Sequence, residues 1–246
     1  MGRLEDAARC FRAALDRGGD AEVHAYLLAS VRGDAVPPAA PRSYVQQLFD
    51  SYASEFESHL VGVLQYHGHE LLVATLKTLA AGHRFARALD LGCGTGLCGK
   101  LIADICDAID GVDLSHGMLN RAAGLDLYRR LVQADIVDFL RDVDTWYDLV
   151  IAGDVFTYVG DLAPVFEGVR RVMAPGGVFC FSIERADDVH LYELRASSRF
   201  AQSERFVRRL AAEHGFDVVA LESGHLRNEK GQSIEGSFAY LKAPSF

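Results

Sequence analysis

Asp90-Leu91-Gly92-Cys93-Gly94-Thr95-Gly96 ends an apolar strand on an acid and runs into three alternating glycines before a second apolar run opens at Leu97. Glycines at this spacing let the backbone turn tightly and come close to a bound molecule, and a helix opening at Leu97 offers unpaired N–H groups beside it. The chemistry implied is the holding of a nucleotide-like ligand. A dinucleotide fingerprint, G-x-G-x-x-G, can be read only as Gly94, Gly96 and Gly99, which starts past the strand end and suits a pyrophosphate poorly. Asp90, in front of the loop, is the discriminating residue. Asp113 stands 21 residues after Gly92, about where α/β nucleotide sites put a carboxylate on ribose hydroxyls. In Gln133-Ala134-Asp135-Ile136 an acid can accept from an adenine exocyclic amine while the next apolar residue covers the ring.

Other reactive side chains are less well grouped. His67-x-His69 has no carboxylate or thiol at ligand spacing, so no metal is expected and a solvated loop is the simpler reading. Arg195 and Arg199 fall between an apolar strand and the next helix, where either could hold a carboxylate by a bidentate contact. The five cysteines show no C-x-x-C and no framework spacing, which fits reduced thiols.

The elements that must position these residues alternate. Apolar runs at 86–91, 108–112, 130–134, 147–152 and 177–183 read as strands, with helical periods at about 97–106, 115–123, 161–173 and 202–213. This is a doubly wound α/β sheet. Two further strand-like runs, 216–221 and 237–241, follow without a helix between them and can close as an antiparallel hairpin. Ahead of the sheet, residues 4–16 and a second run through Val23, Tyr26, Leu27 and Ala29 form a helical hairpin, and Val36-Pro37-Pro38-Ala39-Ala40-Pro41 denies helix continuation. The expected organisation is a hairpin over 1–40, an aromatic-rich helical cap over 41–82 that includes a helix at 69–81, and the sheet domain over 83–246.

With 246 residues and 50% apolar content, the chain can bury one good core plus a small accessory unit. A net charge of −9, with paired arginines scattered rather than gathered, disfavours nucleic acid as a partner. The charged N-terminal residues and the lack of a long apolar run disfavour a leader and a membrane span, so a cytoplasmic protein is expected.

The D-x-G-x-G-x-G loop resembles the signature of the class I S-adenosylmethionine-dependent methyltransferases, whose cofactor carries a sulfonium and an amino-acid end. Asp113-Leu114-Ser115-x-x-Met118-Leu119 is similar to the family's D-x-S-x-x-M-L run, and Asp148-x-Val150-x-x-x-Asp154-Val155-x-x-Tyr158 to its D-x-V-x-x-x-D-V-x-x-Y run. Ala174-Pro175-Gly176-Gly177 matches the turn before the fifth strand. The resemblance covers residues 85–242. It implies a seven-stranded sheet whose last strand is antiparallel, with S-adenosyl-L-methionine as cofactor. Its amino-acid end is expected at Asp90, Gly92, Cys93, Gly94 and Gly96, its ribose at Asp113 and Leu114, and its adenine at Met118, Asp135 and Ile136. Asp154 and Val155 are expected near the methyl, and Tyr158 on the acceptor side.

The hairpin, proline linker and aromatic run Tyr44 to Leu60 resemble, more closely, the bacterial tetratricopeptide-repeat-containing methyltransferases. In that group a proline is expected at His69 and a histidine at Gln202; the second departure removes a candidate acid/base residue from the acceptor side. Methyl transfer needs alignment above all, with a base only for a protonated acceptor. His59, the only histidine among the cap aromatics, is the expected base, with Tyr52 beside it and Tyr44 on the cofactor. The chain has no N/D-P-P-Y/F motif for exocyclic amines; Asp154-Val155-Phe156-Thr157 stands there. The expected activity is methyl transfer to a small molecule, with a carboxylate-bearing acceptor among the candidates, ahead of a hairpin-guided protein methyltransferase and a nicotinamide-dependent oxidoreductase.

Overall fold

The computed structural model describes residues 2–33, 35–53, 66–229 and 231–245. It opens with α1 (Gly2–Asp16) and α2 (Ala21–Arg32). Asp20 starts α2 by accepting from the Val23 N–H at 3.0 Å, and Gly33 ends it in the left-handed conformation, its N–H on the Ala29 carbonyl. The helical pair read from the sequence is present. Its inner residues Tyr26 and Ala29 are buried against Leu194 and Phe200 of the sheet domain. The proline linker is extended but stitched down: Ala40 N–H donates to the Tyr158 carbonyl, and the Gly160 and Asp161 N–H groups to the Pro38 carbonyl.

α3 (Arg42–Tyr52) and α4 (Gly68–Leu79) precede the sheet domain. That domain runs β1 (Ala88–Leu91), α5 (Leu97–Ile102), β2 (Ile109–Asp113), α6 (His116–Ala123), β3 (Arg130–Gln133), α7 (Ile136–Asp142), β4 (Tyr147–Ala152), a 3-10 turn (Phe156–Tyr158), α8 (Ala163–Val172), β5 (Met173–Glu184), β6 (Tyr192–Leu194), β7 (Phe200–Gln202), α9 (Glu204–Glu213), β8 (Asp217–Glu229) and β9 (Gln232–Lys242). The seven-stranded sheet has the order β3-β2-β1-β4-β5-β9-β8. β1 to β5 pair in parallel, and β9 runs antiparallel to both its neighbours.

Alternation along each strand splits the core between the two faces. Leu89, Leu91, Val150, Ala152, Phe179 and Phe181 face α7, α8 and α9. Ala88, Leu149, Ile151, Cys180 and Tyr240 face α4 and α5. All strand C-termini from β1 to β4 therefore end along one rim, where parallel α/β sheets place ligands.

Several boundaries differ from the sequence reading. α7 was not expected, because seven residues hold too little periodicity; Asp135 caps it and Ile136, Phe139 and Leu140 bury it. The helix expected over 97–106 ends at Ile102, and the one expected over 202–213 starts at Glu204, since Phe200–Gln202 pairs with Tyr192–Leu194 instead. The closing hairpin extends well beyond 216–221 and 237–241 because its polar residues continue the pairing out to Glu229 and Gln232.

Candidate functional site

The glycine loop closes at the end of β1. Gly92 has φ 63°, and a Cβ there would press on Val155 at 2.5 Å, so the loops after β1 and β4 touch only because that side chain is missing. Asp113 clamps the same loop from the end of β2: Oδ2 accepts from the Gly94 N–H at 2.9 Å and Oδ1 from the Ser115 N–H at 2.8 Å. Burial raises its carboxyl above the usual range, opposed by those two N–H groups. Asp90 is fully enclosed, and burial pushes its carboxyl up to about 7 against the opposing hydrogen bond from the Tyr128 hydroxyl.

A cavity of about 650 Å³ lies over this rim. Its floor contains Asp90, Gly92, Cys93 and Gly94, with Asp113, Leu114 and Met118 beyond β2 and Asp135 and Ile136 beyond β3. Asp154, Val155 and Tyr158 line it from the β4 side, Arg199 from the β6–β7 hairpin, and Tyr52 from the cap. The fold thus brings most of the expected residues onto one wall. Asp135 is partly committed: its Oδ1 accepts from the Val137 and Asp138 N–H groups, and its Oδ2 pairs with Arg42 Nε at 3.2 Å.

The cap is tethered over the cavity. Ser115 Oγ donates to Asp50 Oδ1 at 2.6 Å and Gly117 N–H to the same oxygen at 3.1 Å, joining the end of α3 to the start of α6. Phe49 meets Tyr158 edge-on at 5.4 Å. At the far end, buried Arg227 pairs with Glu184 and with Asp154 at 3.1 Å, while Arg199 pairs with Glu229 at 2.6 Å.

Four expected residues stand apart. Tyr44 does not line the cavity; its ring packs on Tyr26 at 5.4 Å, because its face of α3 turns toward the hairpin. Gly96 lies outside the wall as the left-handed cap of α5, where a Cβ would meet Leu125. Arg195 is taken up by Glu184 at 2.5 Å, Glu193 at 2.9 Å and the Arg185 carbonyl. His59 lies outside the described residues. Gln202 is also off the wall: its side-chain amide donates to the Phe156 and Val159 carbonyls and so pins the 3-10 turn.

The sequence missed residues as well. His69, assigned to a solvated loop, is buried on the cavity wall in the first turn of α4, stacked on Tyr66 with centroids 5.2 Å apart, while His67 alone is exposed, paired with Glu70. The apolar spacing of Leu72, Val73 and Leu76 was the signal that could have placed it, since His69 falls one turn before this buried face. Nothing in the sequence singled out Tyr66 or Tyr128. No group of three metal-ligating residues occurs among the described residues, and none of their helices is long and apolar enough to cross a membrane.

A family model described as a methyltransferase domain matches residues 89–179. The malonyl-[acyl-carrier protein] O-methyltransferase of Geobacter sulfurreducens is 33% identical over 165 residues, 65% of this chain and 59% of its own. That of Legionella pneumophila is 30% identical over 188 residues, 71% of this chain and 64% of its own, and that of Salmonella typhimurium 31% identical over 134 residues, 54% and 51%. The chain spans about half to under two thirds of these relatives' length. Among solved structures, the N-methyltransferase NodS of Bradyrhizobium japonicum with S-adenosyl-L-homocysteine superposes with a TM-score of 0.64 at 17% identity, covering 81% of this chain and 98% of that one. The magnesium protoporphyrin IX methyltransferase of Synechocystis gives 0.63 at 15% identity, covering 82% and 99%. Residues 89–179 are thus similar to a methyltransferase domain, and the chain has the α/β fold of these methyltransferase structures.

Proposed function

We propose that the chain is an S-adenosylmethionine-dependent methyltransferase acting on a small-molecule acceptor. The observation that carries this reading is the cavity floor: an open glycine loop held by Asp113, with carboxyls at the ends of β1, β2 and β3. A cofactor with a sulfonium, an ammonium and an adenosine suits carboxyls there, whereas a pyrophosphate would meet like charge. When bound, the cofactor supplies an activated methyl on its sulfonium. Asp113 would hold the ribose hydroxyls, Asp90 and the loop the amino-acid end, and Met118 and Ile136 the adenine, with Asp135 at its edge. The resemblance to relatives named for malonyl-[acyl-carrier protein] supports an acceptor bearing a carboxylate, and Arg199, on the wall, is the residue placed to hold it.

The walls and the cap contribute alignment and exclusion of water. Tyr52 lines the cavity from α3 and would contact the acceptor or the methyl. The domain division at 40 and 82, and the nearer likeness to repeat-containing methyltransferases, rest on the α1–α2 pair and the aromatic cap. Free thiols throughout, with Cys10 exposed, support a cytoplasmic location.

Calorimetric titration tests the reading. S-adenosylhomocysteine should bind wild type in preference to NAD, and Asp113→Ala should weaken it about 10-fold or more, since hydrogen bonds to a charged acceptor contribute about 1.5–3 kcal/mol. Preference for NAD would return the sheet to the oxidoreductases. Label transferred from the cofactor only to extract proteins would favour the protein methyltransferase.

A further inference from the structure

His69 is buried at 7% exposure in the first turn of α4, yet its Nδ1 has no hydrogen-bond partner among the described residues. Tyr66, 2% exposed, stacks on it nearly parallel, with 16° between the rings. The phenol lies beside Ser182, whose hydroxyl accepts from the Asp154 N–H at 2.9 Å, and its own oxygen has no partner in hydrogen-bond geometry among the described residues. Both side chains line the cavity, and buried polar groups are almost always paired, so two neighbouring wall residues whose polar atoms lack partners among the described residues mark a place where a small turn of either ring meets a polar ligand atom. The arrangement is built into the chain: a Cβ on Gly68 would lie 2.7 Å from the Tyr66 ring and from Leu226, so only glycine lets the phenol fold back over α4.

The pair also sits at a defined end of the cavity. A Cβ on Gly153 would lie 3.7 Å from the Tyr66 hydroxyl, which puts the pair at the β4 end of the rim. Asp113 and Asp135, proposed for the adenosine, end β2 and β3 on the other side of β1. The β4 end is thus left for the reacting group and the acceptor.

We propose that Tyr66 and His69 seat the accepting atom, and that His69 is the general base that takes its proton. This rests on the methyltransferase reading and narrows the acceptor to a hydroxyl, amine or thiol; a carboxylate is already deprotonated and needs no base, so a carboxylate on the same molecule would be the group held at Arg199. The lone pair of the accepting atom forms the bond to the methyl carbon, the carbon–sulfur bond breaks with its pair left on sulfur, and the proton passes to the imidazole and on to solvent. Burial pushes the imidazole below its ordinary range, as do His67 and Lys100, with Glu70 opposing. Asp154, Cys98 and Arg227 face the neighbouring phenol. At neutral pH the ring is therefore neutral and able to accept.

The test pairs binding with turnover. Labelled methyl transfer is measured on catechol, ethanolamine, 2-mercaptoethanol and malonate, and S-adenosylhomocysteine binding by calorimetry, for wild type, His69→Asn and Tyr66→Phe. Transfer is expected to at least one of the first three. His69→Asn should lower kcat about 100-fold or more and remove the acid limb of the kcat/KM profile, with S-adenosylhomocysteine binding within twofold of wild type. Tyr66→Phe should raise the acceptor KM and keep the limb. Transfer to malonate alone or to no probe, an unchanged kcat in His69→Asn, or a loss of S-adenosylhomocysteine affinity in that variant overturns the proposal. Failure of wild type to bind S-adenosylhomocysteine is a separate result, and it removes the methyltransferase reading itself.

Discussion

The Tyr128 hydroxyl donates to Asp90 Oδ2 at 2.7 Å beneath the glycine loop, tying the segment after α6 to the end of β1. The same phenol explains a glycine that does not line the cavity. A Cβ on Gly99 would collide with the Tyr128 oxygen and its ring, so α5 can pack over the bond only without that side chain.

Gly99→Ala should therefore destabilise the protein by about 1–3 kcal/mol, the usual cost of overpacking a closed interior. Thermal unfolding measures it. Combining Gly99→Ala with Tyr128→Phe should recover part of the loss, because the nearest clashing atom is the hydroxyl. Equal melting temperatures for the single and double variants would refute the contact.

Asp90 makes cofactor binding pH-dependent. Its folded carboxyl titrates near 7, while the unfolded group titrates near 4. Between these values the folded chain holds a proton that the unfolded chain has lost, so this group's contribution to stability falls as pH rises from about 4 to 7. A cationic ligand at Asp90 favours the carboxylate, so binding at about pH 6.5 should release a proton and affinity should rise toward pH 7. Calorimetry of S-adenosylmethionine in two buffers of different ionisation enthalpy reads the proton count, and Asp90→Asn should abolish it.

The rim was legible in the sequence because acids at strand ends are local signals. Asp90, Asp113, Asp135 and Asp154 each follow an apolar run directly, and the glycine spacing fixes the turn. Pairings between distant segments were not legible. Nothing local tells that Arg195 is consumed by Glu184, that Tyr44 turns to Tyr26, or that Tyr66 folds back across Gly68 to stack on His69. These depend on which helix face meets which neighbour. α7 is illegible for another reason: seven residues hold too little periodicity, and its start rests on one carboxylate, Asp135, that holds two N–H groups of the first turn.

The two arginines expected to clamp a carboxylate should now separate. Arg195 supports buried Glu184 from outside the cavity, so Arg195→Ala should lower stability by about 1–3 kcal/mol with the acceptor KM unchanged. Arg199 lines the cavity, and Arg199→Ala should raise the KM of an acidic acceptor about tenfold or more. Steady-state kinetics beside thermal unfolding decides the matter, and a KM effect from Arg195→Ala as large as that from Arg199→Ala would contradict it.

The hairpin should matter more to stability than to binding. Tyr26 is 2% exposed, donates its hydroxyl to the Ser198 carbonyl at 2.6 Å and packs on Phe200, so α2 is anchored to the β6–β7 hairpin. Replacing such an aromatic side chain by alanine costs about 3–5 kcal/mol, and a chain starting at Pro37, which keeps the lining residues Ala39 and Ala40, should show at least that loss. Yet no residue of α1 or α2 lines the cavity. At a temperature where the shortened chain is still folded, it should bind S-adenosylhomocysteine within a few-fold of wild type. Circular dichroism fixes that temperature and calorimetry the affinity; a folded chain that no longer binds would make α1 and α2 part of the cofactor site.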